Sequence, residues 1–214
     1  MKVAVLGTGM VGQTIATKLV TMGHEVALGA RKKNNPAAKM WLDNVSGKAS
    51  TGTFEEAASG AEVIFNCVMG QFALEALQRA GASNLRDRVV VDVSNPLDFS
   101  RGMPPTLFVC NDDSLGERIQ RAFPEARVVK ALNTVNAAVM VDPSRVPGES
   151  TAMICGDDHE AKVLVGGLLQ SFGWKDILDL GDITGSRQLE MVVLLWVRLW
   201  GTLNTADFNL KVVR

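Results

Sequence analysis

The chain has 214 residues, 47% of them hydrophobic and 21% charged, which is enough to bury one full core but cramped for a second large substrate domain. Its 22 Lys and Arg nearly balance 23 Asp and Glu, for a net charge of −1, so no global field draws nucleic acid or an anionic membrane and any anion site must be local. Cys67, Cys110 and Cys155 form no CxxC or metal-type cluster, which argues against a disulfide framework or a metal centre and for three buried packing residues in a reducing cytoplasm.

Met1 to Leu6 runs straight into glycines and reads as a first strand over Val3 to Leu6 rather than as a signal peptide. Further β-branched runs at Glu25 to Leu28, Glu62 to Val68, Val89 to Val93 and Val128 to Leu132 alternate with helical patterns, which predicts βα units and a parallel sheet buried on both faces. Helices are expected over Met10 to Met22, closed by Gly23, over Phe54 to Ala58 with Thr53 as cap, over Phe72 to Ala80, closed by Gly81, and over Leu115 to Phe123, ended by Pro124. The pattern continues with a strand at Ala152 to Cys155, a helix at His159 to Phe172, a strand at Asp176 to Leu180 and a long terminal helix near Arg187 to Thr202. Leu189 to Trp200 is strongly apolar, but Glu190 and Arg198 interrupt it, so it is too short and too charged to span a bilayer. The expected architecture is α/β, a Rossmann-type doubly wound parallel sheet over residues 1–142. Residues 143–214 would form a small C-terminal α/β extension with the long helix, the boundary falling in the loop from Asp142 to Gly148.

Gly7-Thr8-Gly9-Met10-Val11-Gly12 matches GxGxxG directly after a strand and at the opening of a helix. In that context the first glycine permits the turn, the second lets a pyrophosphate reach the backbone, and the third lets helix pack on strand. An NAD site would place a carboxylate about 20 residues further on, to hold the adenosine ribose. That place reads Gly29-Ala30-Arg31-Lys32-Lys33, a small residue followed by three cations, which suits the dianionic 2′-phosphate of NADP(H). Arg31 is the leading contact, with Lys32 or Lys33 assisting. Later strand ends at Val68-Met69-Gly70, Ser94-Asn95-Pro96 and Asn133-Thr134 should border the ribose and nicotinamide, because ligands in such sheets lie across the C-terminal strand edges.

Gly7 to Gly12, Gly29-Ala30-Arg31, Val91 to Pro96, Lys130 to Thr134 and Cys155-Gly156-Asp157-Asp158 together resemble the NADPH-dependent reductases of the deazaflavin coenzyme F(420), over nearly the whole chain. The same blocks are also similar to the cytosolic NADPH domain of the transmembrane ferric reductases. The resemblance implies hydride transfer between NADP(H) and a deazaflavin or a flavin (FMN or FAD) stacked on the nicotinamide, with no catalytic side chain and no metal required. It assigns Thr8, Gly9, Met10 and Val11 to the pyrophosphate, Ala30 and Arg31 to the 2′-phosphate, and Met69, Ala73 and Ala137 to the remaining cofactor wall. Asn133 stands where the archaeal deazaflavin reductases carry a histidine, and Met69-Gly70 replaces a proline-containing turn, so the second substrate is the less determined of the two.

The terminal helix carries Leu189, Val192, Val193, Leu195, Trp196, Leu199 and Trp200 on more than one face, which fits either a core helix or a homodimer interface beside the acceptor site. A β-hydroxyacid dehydrogenase or pyrroline reductase would share the glycine loop, yet too few residues follow Leu180 for its all-helical second domain. A nonenzymatic NADP(H)-sensing module is the alternative of a different class. The expected protein is a cytoplasmic, homodimeric reductase of a small-molecule redox acceptor.

Overall fold

The computed structural model describes residues 1–214. Its strands are β1 (Lys2–Leu6), β2 (Glu25–Ala30), β3 (Ala49–Thr53), β4 (Val63–Asn66), β5 (Val89–Asp92), β6 (Leu97–Asp98), β7 (Thr106–Leu107), β8 (Arg127–Ala131), β9 (Thr151–Cys155) and β10 (Asp176–Asp179). The helices are α1 (Met10–Thr21), α2 (Pro36–Asn44), α3 (Phe54–Ala58), α4 (Ala73–Ala80), α5 (Ala82–Leu85), α6 (Leu115–Ala122), α7 (Ala137–Val141), α8 (His159–Phe172) and α9 (Ser186–Leu203).

Eight strands form one sheet in the order β10-β9-β8-β5-β4-β1-β2-β3. From β3 to β8 every pairing is parallel, and the chain order reverses between β1 and β4, which opens a crevice at their C-terminal ends. Alternate strand residues face opposite layers, as the pleat requires. Val3, Val5, Val63, Phe65, Val89 and Val91 pack with α1, α2, α7 and α8, whereas Ala4, Leu6, Ile64 and Val90 pack with α3, α4 and α6.

Residues 143–214 continue this sheet. The connection from β8 stays at that strand's C-terminal end and enters β9 from there, so β9 runs antiparallel to β8, with Lys130 opposite Cys155 and Ala131 opposite Ile154. β10 then adds parallel to β9. Four elements, α2, α5, α7 and β3, have no counterpart among the expected ones. Asn35 caps α2, its Oδ1 accepting from the Ala38 amide at 3.0 Å, and Pro36 occupies the first turn. A short hairpin of β6 and β7 also goes unforeseen, inserted between β5 and α6.

Only the first half of α9 is core, with Leu189, Glu190 and Val193 buried, while Leu194, Leu195, Trp200 and Leu203 are exposed. After α9 the tail folds back. Phe208 stacks on Trp196 at 5.3 Å, the Thr151 amide donates to the Leu210 carbonyl, and Lys211 and Arg214 pair with Asp176. No helix is long and apolar enough to cross a membrane. Of the cysteines, Cys155 is buried as expected, whereas Cys67 and Cys110 are partly exposed. Cys67 lies just past the end of β4, where the strand gives way to the crevice.

Candidate functional site

The turn between β1 and α1 is built from glycines with different tasks. Gly7 has φ +117°, and a Cβ there would meet the Cys67 carbonyl oxygen at 2.8 Å. A Cβ on Gly12 would lie 1.9 Å from the Gly7 carbonyl oxygen, whereas one on Gly9 would meet nothing within 4 Å. Gly7 and Gly12 therefore let the chain pack on itself, and Gly9 keeps the space in front of α1 open. Gly9 is the helix cap, with no side-chain cap and no acidic residue in the first turn. The first intrahelical bond runs from Gln13 to the Gly9 carbonyl, and the amides of Met10, Val11 and Gly12 have no protein partner. Unpartnered amides at the positive end of a 12-residue helix suit an anion held close to the backbone.

Two bays flank this point and share Gly9, Cys67, Val68 and Met69. The first, about 310 Å³, is walled by Ala30, Arg31, Asn35, Phe54, Phe72 and Glu75. Arg31 and Lys32 are exposed, and the Arg31 guanidinium lies 5.8 Å from the centre of the Phe72 ring, a cation–π distance. Lys33 instead pairs with Glu56, whose carboxyl is held below its usual range first by that lysine and then by the Thr53 amide. The cations left to meet a phosphate here are Arg31 and Lys32. The second bay, about 380 Å³, is lined by Met10, Val11, Met69, Val93, Leu97 and Phe99 together with Ser94 and Asn95, and no charged side chain faces it. Cys67 lines both bays, but its side chain packs against the core, and burial and the nearby Asp92 carboxylate push the thiol pKa up, so it stays neutral at physiological pH.

Beneath the second bay is a buried charge cluster. Lys130 is fully buried, and its Nζ donates to Asp92 Oδ2 at 2.7 Å, to the Ser94 carbonyl at 2.6 Å and to Glu190 Oε1 at 2.8 Å. Asp92 Oδ1 accepts from Asn66 Nδ2 and from Ser94 Oγ, and Glu190 accepts the Leu115 and Gly116 amides at the start of α6. Burial opposes the charge on Lys130, but Asp92 and Glu190 outweigh it and raise its pKa. The cluster ties β4, β5, β8, α6 and α9 together and holds the Ser94 carbonyl in place at the bay floor.

A family model described as NADP oxidoreductase, coenzyme F(420)-dependent, matches residues 2–96. A crystal structure from Arthrobacter sp. FB24, provisionally described as an F(420)-dependent NADP-reductase, is 49% identical with a TM-score of 0.96, each chain covering 100% of the other. The chain belongs to the coenzyme F(420)-dependent NADP oxidoreductase family. The F(420)-dependent NADP reductase of Methanocaldococcus jannaschii is 28% identical over 93% of this chain and 92% of its own. Metalloreductase STEAP3 of Rattus norvegicus is 31% identical over 93% of this chain, which spans only 38% of that longer protein. A reductive aminase from Aspergillus terreus, 19% identical with a TM-score of 0.66 and 62% covered, shares the fold alone.

Within this family member, Gly7, Thr8, Gly9, Ala30, Arg31 and Met69 line the first bay, and Gly9, Met10, Val11, Met69 and Asn95 the second. Gly12, Lys32, Ala73, Pro96, Asn133 and Ala137 line neither, and of these only Lys32 is exposed. Ala73 and Ala137 belong to the buried helix packing, and Gly12 supports the turn from below. Asn133 donates to Asn95 Oδ1 at 2.9 Å and to the Leu189 carbonyl at 3.0 Å, while Asn95 donates back to the Asn133 carbonyl at 2.7 Å. The pair latches the ends of β5 and β8 together. Sequence reasoning missed Asn35, Phe72, Leu97 and Phe99. The Asn-Pro step of a helix cap was a usable signal for the first; the other three carry none.

Ser114, Glu117 and Arg187 clamp α6 to α9. Arg187 Nε and Nη2 donate to the two Glu117 carboxylate oxygens at 2.9 and 2.6 Å, and Ser114 Oγ donates at 2.7 Å. Arg187 is the main reason that the Glu117 pKa lies below its ordinary value of 4.5. A depressed carboxylate stabilises the fold fully above its unfolded pKa and loses that contribution as the pH falls through the folded one. Stability against denaturant should therefore fall more steeply below about pH 4 in the native protein than in Glu117→Gln. Parallel pH profiles would contradict the clamp.

Proposed function

We propose that the protein binds NADP(H) across the β1/β4 crevice and exchanges a hydride between it and a planar deazaflavin or flavin acceptor. The observation that carries this reading is the uncapped start of α1, with Gly9 open in front of it, lying between an Arg31-walled bay and a charge-free bay. The residues fit the cofactor part by part. The Met10, Val11 and Gly12 amides suit the pyrophosphate, Arg31 and Lys32 the 2′-phosphate, and the neutral bay the nicotinamide. NADPH would supply a hydride with both electrons and leave as NADP⁺, and the acceptor would complete its reduction with a proton from water.

The chain's own contribution is alignment and exclusion of water. Met10, Val11 and Met69 wall the ring side, and the Lys130 cluster holds the Ser94 backbone in place beneath. The similarity to a metalloreductase supports ferric or flavin reduction as the second reading. The exposed Leu194, Leu195, Trp200 and Leu203 of α9 support a homodimer built on that helix, and the unpaired cysteines a cytoplasmic setting.

Arg31→Ala is expected to weaken NADPH binding roughly 10- to 100-fold, the size of lost charge-assisted hydrogen bonds, and to change NADH binding less than about threefold. Titration of both nucleotides by fluorescence decides this. Equal weakening of the two removes the 2′-phosphate assignment.

A further inference from the structure

The hairpin of β6 and β7 stands over the charge-free bay. It is anchored by the Phe108 amide, which donates to the Pro96 carbonyl at 2.9 Å just beyond the Ser94-Asn95 turn. Leu97 and Phe99 of the hairpin line the bay, and Phe99 is nevertheless 46% exposed, so its ring has an uncovered face. The hairpin's charges are Asp98 and Arg101, which cancel. Asp98 is held below its usual range mainly by the Ser100 amide and hydroxyl, with a smaller contribution from Arg101. The two bays thus divide the chemistry. Phosphate-type charge is met at the Arg31 end, and no charged side chain at the other end answers one.

We infer that the β6–β7 hairpin is the outer wall of the acceptor site, with Phe99 packing on the acceptor's ring, and that the protein selects its acceptor by that ring and not by a charged tail. This rests on the hydride-transfer reading above. A ring stacked for hydride transfer must lie flat against the nicotinamide, within about 3–3.5 Å. An aromatic wall on its far side supplies area and orientation without any polar partner. A phosphate or polycarboxylate tail, by contrast, gains from a protein only where cations or free amides meet it. The bay has no cation, and the free Met10 and Val11 amides at its edge are those that would hold the pyrophosphate, which leaves none for a tail.

The test compares two ring chemistries, each with and without the tail: riboflavin with FMN, and 8-hydroxy-5-deazariboflavin with coenzyme F(420). Calorimetry gives the affinity of each oxidised acceptor for the NADP⁺-saturated protein, and NADPH oxidation gives kcat/KM. Within each pair the two members should agree within about threefold, and Phe99→Ala should weaken both by about tenfold. Arg101→Ala should leave the affinity of all four acceptors unchanged.

A preference above about tenfold for the tailed member, abolished by Arg101→Ala, overturns the inference and leaves the hydride-transfer reading intact. Unaltered acceptor affinity in Phe99→Ala overturns it too, and a changed oligomeric mass in that variant assigns Phe99 to a contact between copies instead. Failure of all four to bind or react while NADP⁺ binds normally sinks the hydride-transfer reading together with this one.

Discussion

Lys130→Met is expected to destabilise the protein by about 3–5 kcal/mol, the cost of breaking a buried ion pair by removing one partner. Methionine keeps most of the volume, so the loss measures charge rather than a cavity. The lysine Nζ meets Asp92, Glu190 and the Ser94 carbonyl with no exposure to solvent. Without it, two carboxylates remain buried around an empty centre, and only the Leu115 and Gly116 amides continue to serve Glu190. At about 2–4 °C per kcal/mol for a chain of this size, the melting temperature should fall by roughly 6–20 °C.

The pH dependence of that loss is diagnostic. In the variant two buried carboxylates face each other with no cation between them, so taking up a proton relieves the folded form more than the unfolded chain and the variant should regain stability as the pH falls. Thermal unfolding at about pH 8 and about pH 5 should show the gap to the native protein narrowing at the lower value. A gap under about 1 kcal/mol, or one that widens towards acid, would mean that Lys130 does not compensate the two carboxylates.

The second large effect separates two glycines of one loop. Gly12→Ala would force a Cβ to within 1.9 Å of the Gly7 carbonyl oxygen, a backbone atom that cannot swing aside, and should cost about 3 kcal/mol or more. Gly9→Ala meets no atom within 4 Å, at an ordinary φ of −78°. It should fold with a melting temperature within about 2 °C of the native value. Its methyl group projects into the space before the Met10, Val11 and Gly12 amides, so NADPH affinity should drop by roughly tenfold or more. Unfolding and nucleotide titration of both variants check this. A Gly9→Ala protein that binds NADPH normally would show that the pyrophosphate does not approach the loop there.

Much of the site was legible because its parts are local in the chain. A strand, three glycines and a helix start follow one another within Val3 to Gly12. The absence of a carboxylate near Ala30 and Arg31 needs no knowledge of tertiary contacts. Hydrophobic runs marked β1, β2, β4, β5 and β8, since strands buried on both faces are apolar throughout.

What the chain pattern did not reveal depends on partners far away. β3 is Ala-Ser-Thr-Gly-Thr, with no apolar period of its own, and is a strand because β2 pairs with it. The hairpin strands have two residues each, too short for any period, yet they wall one end of the crevice. The three cations after Ala30 look equivalent in sequence, and Glu56 alone removes Lys33 from the set.

By itself the sequence determined the glycine loop, the parallel core and the basic corner beside it, because backbone geometry, periodicity and neighbouring charge all act over short stretches of chain. Only the tertiary structure decided that Lys130, a cation in an apolar strand, is compensated by Asp92 and by Glu190 on α9, that Asn95 and Asn133 latch each other, and that the far bay carries no charge. Each of these is an electrostatic balance among groups tens of residues apart, and such a balance exists only once folding has removed the groups from water and set them within hydrogen-bonding distance.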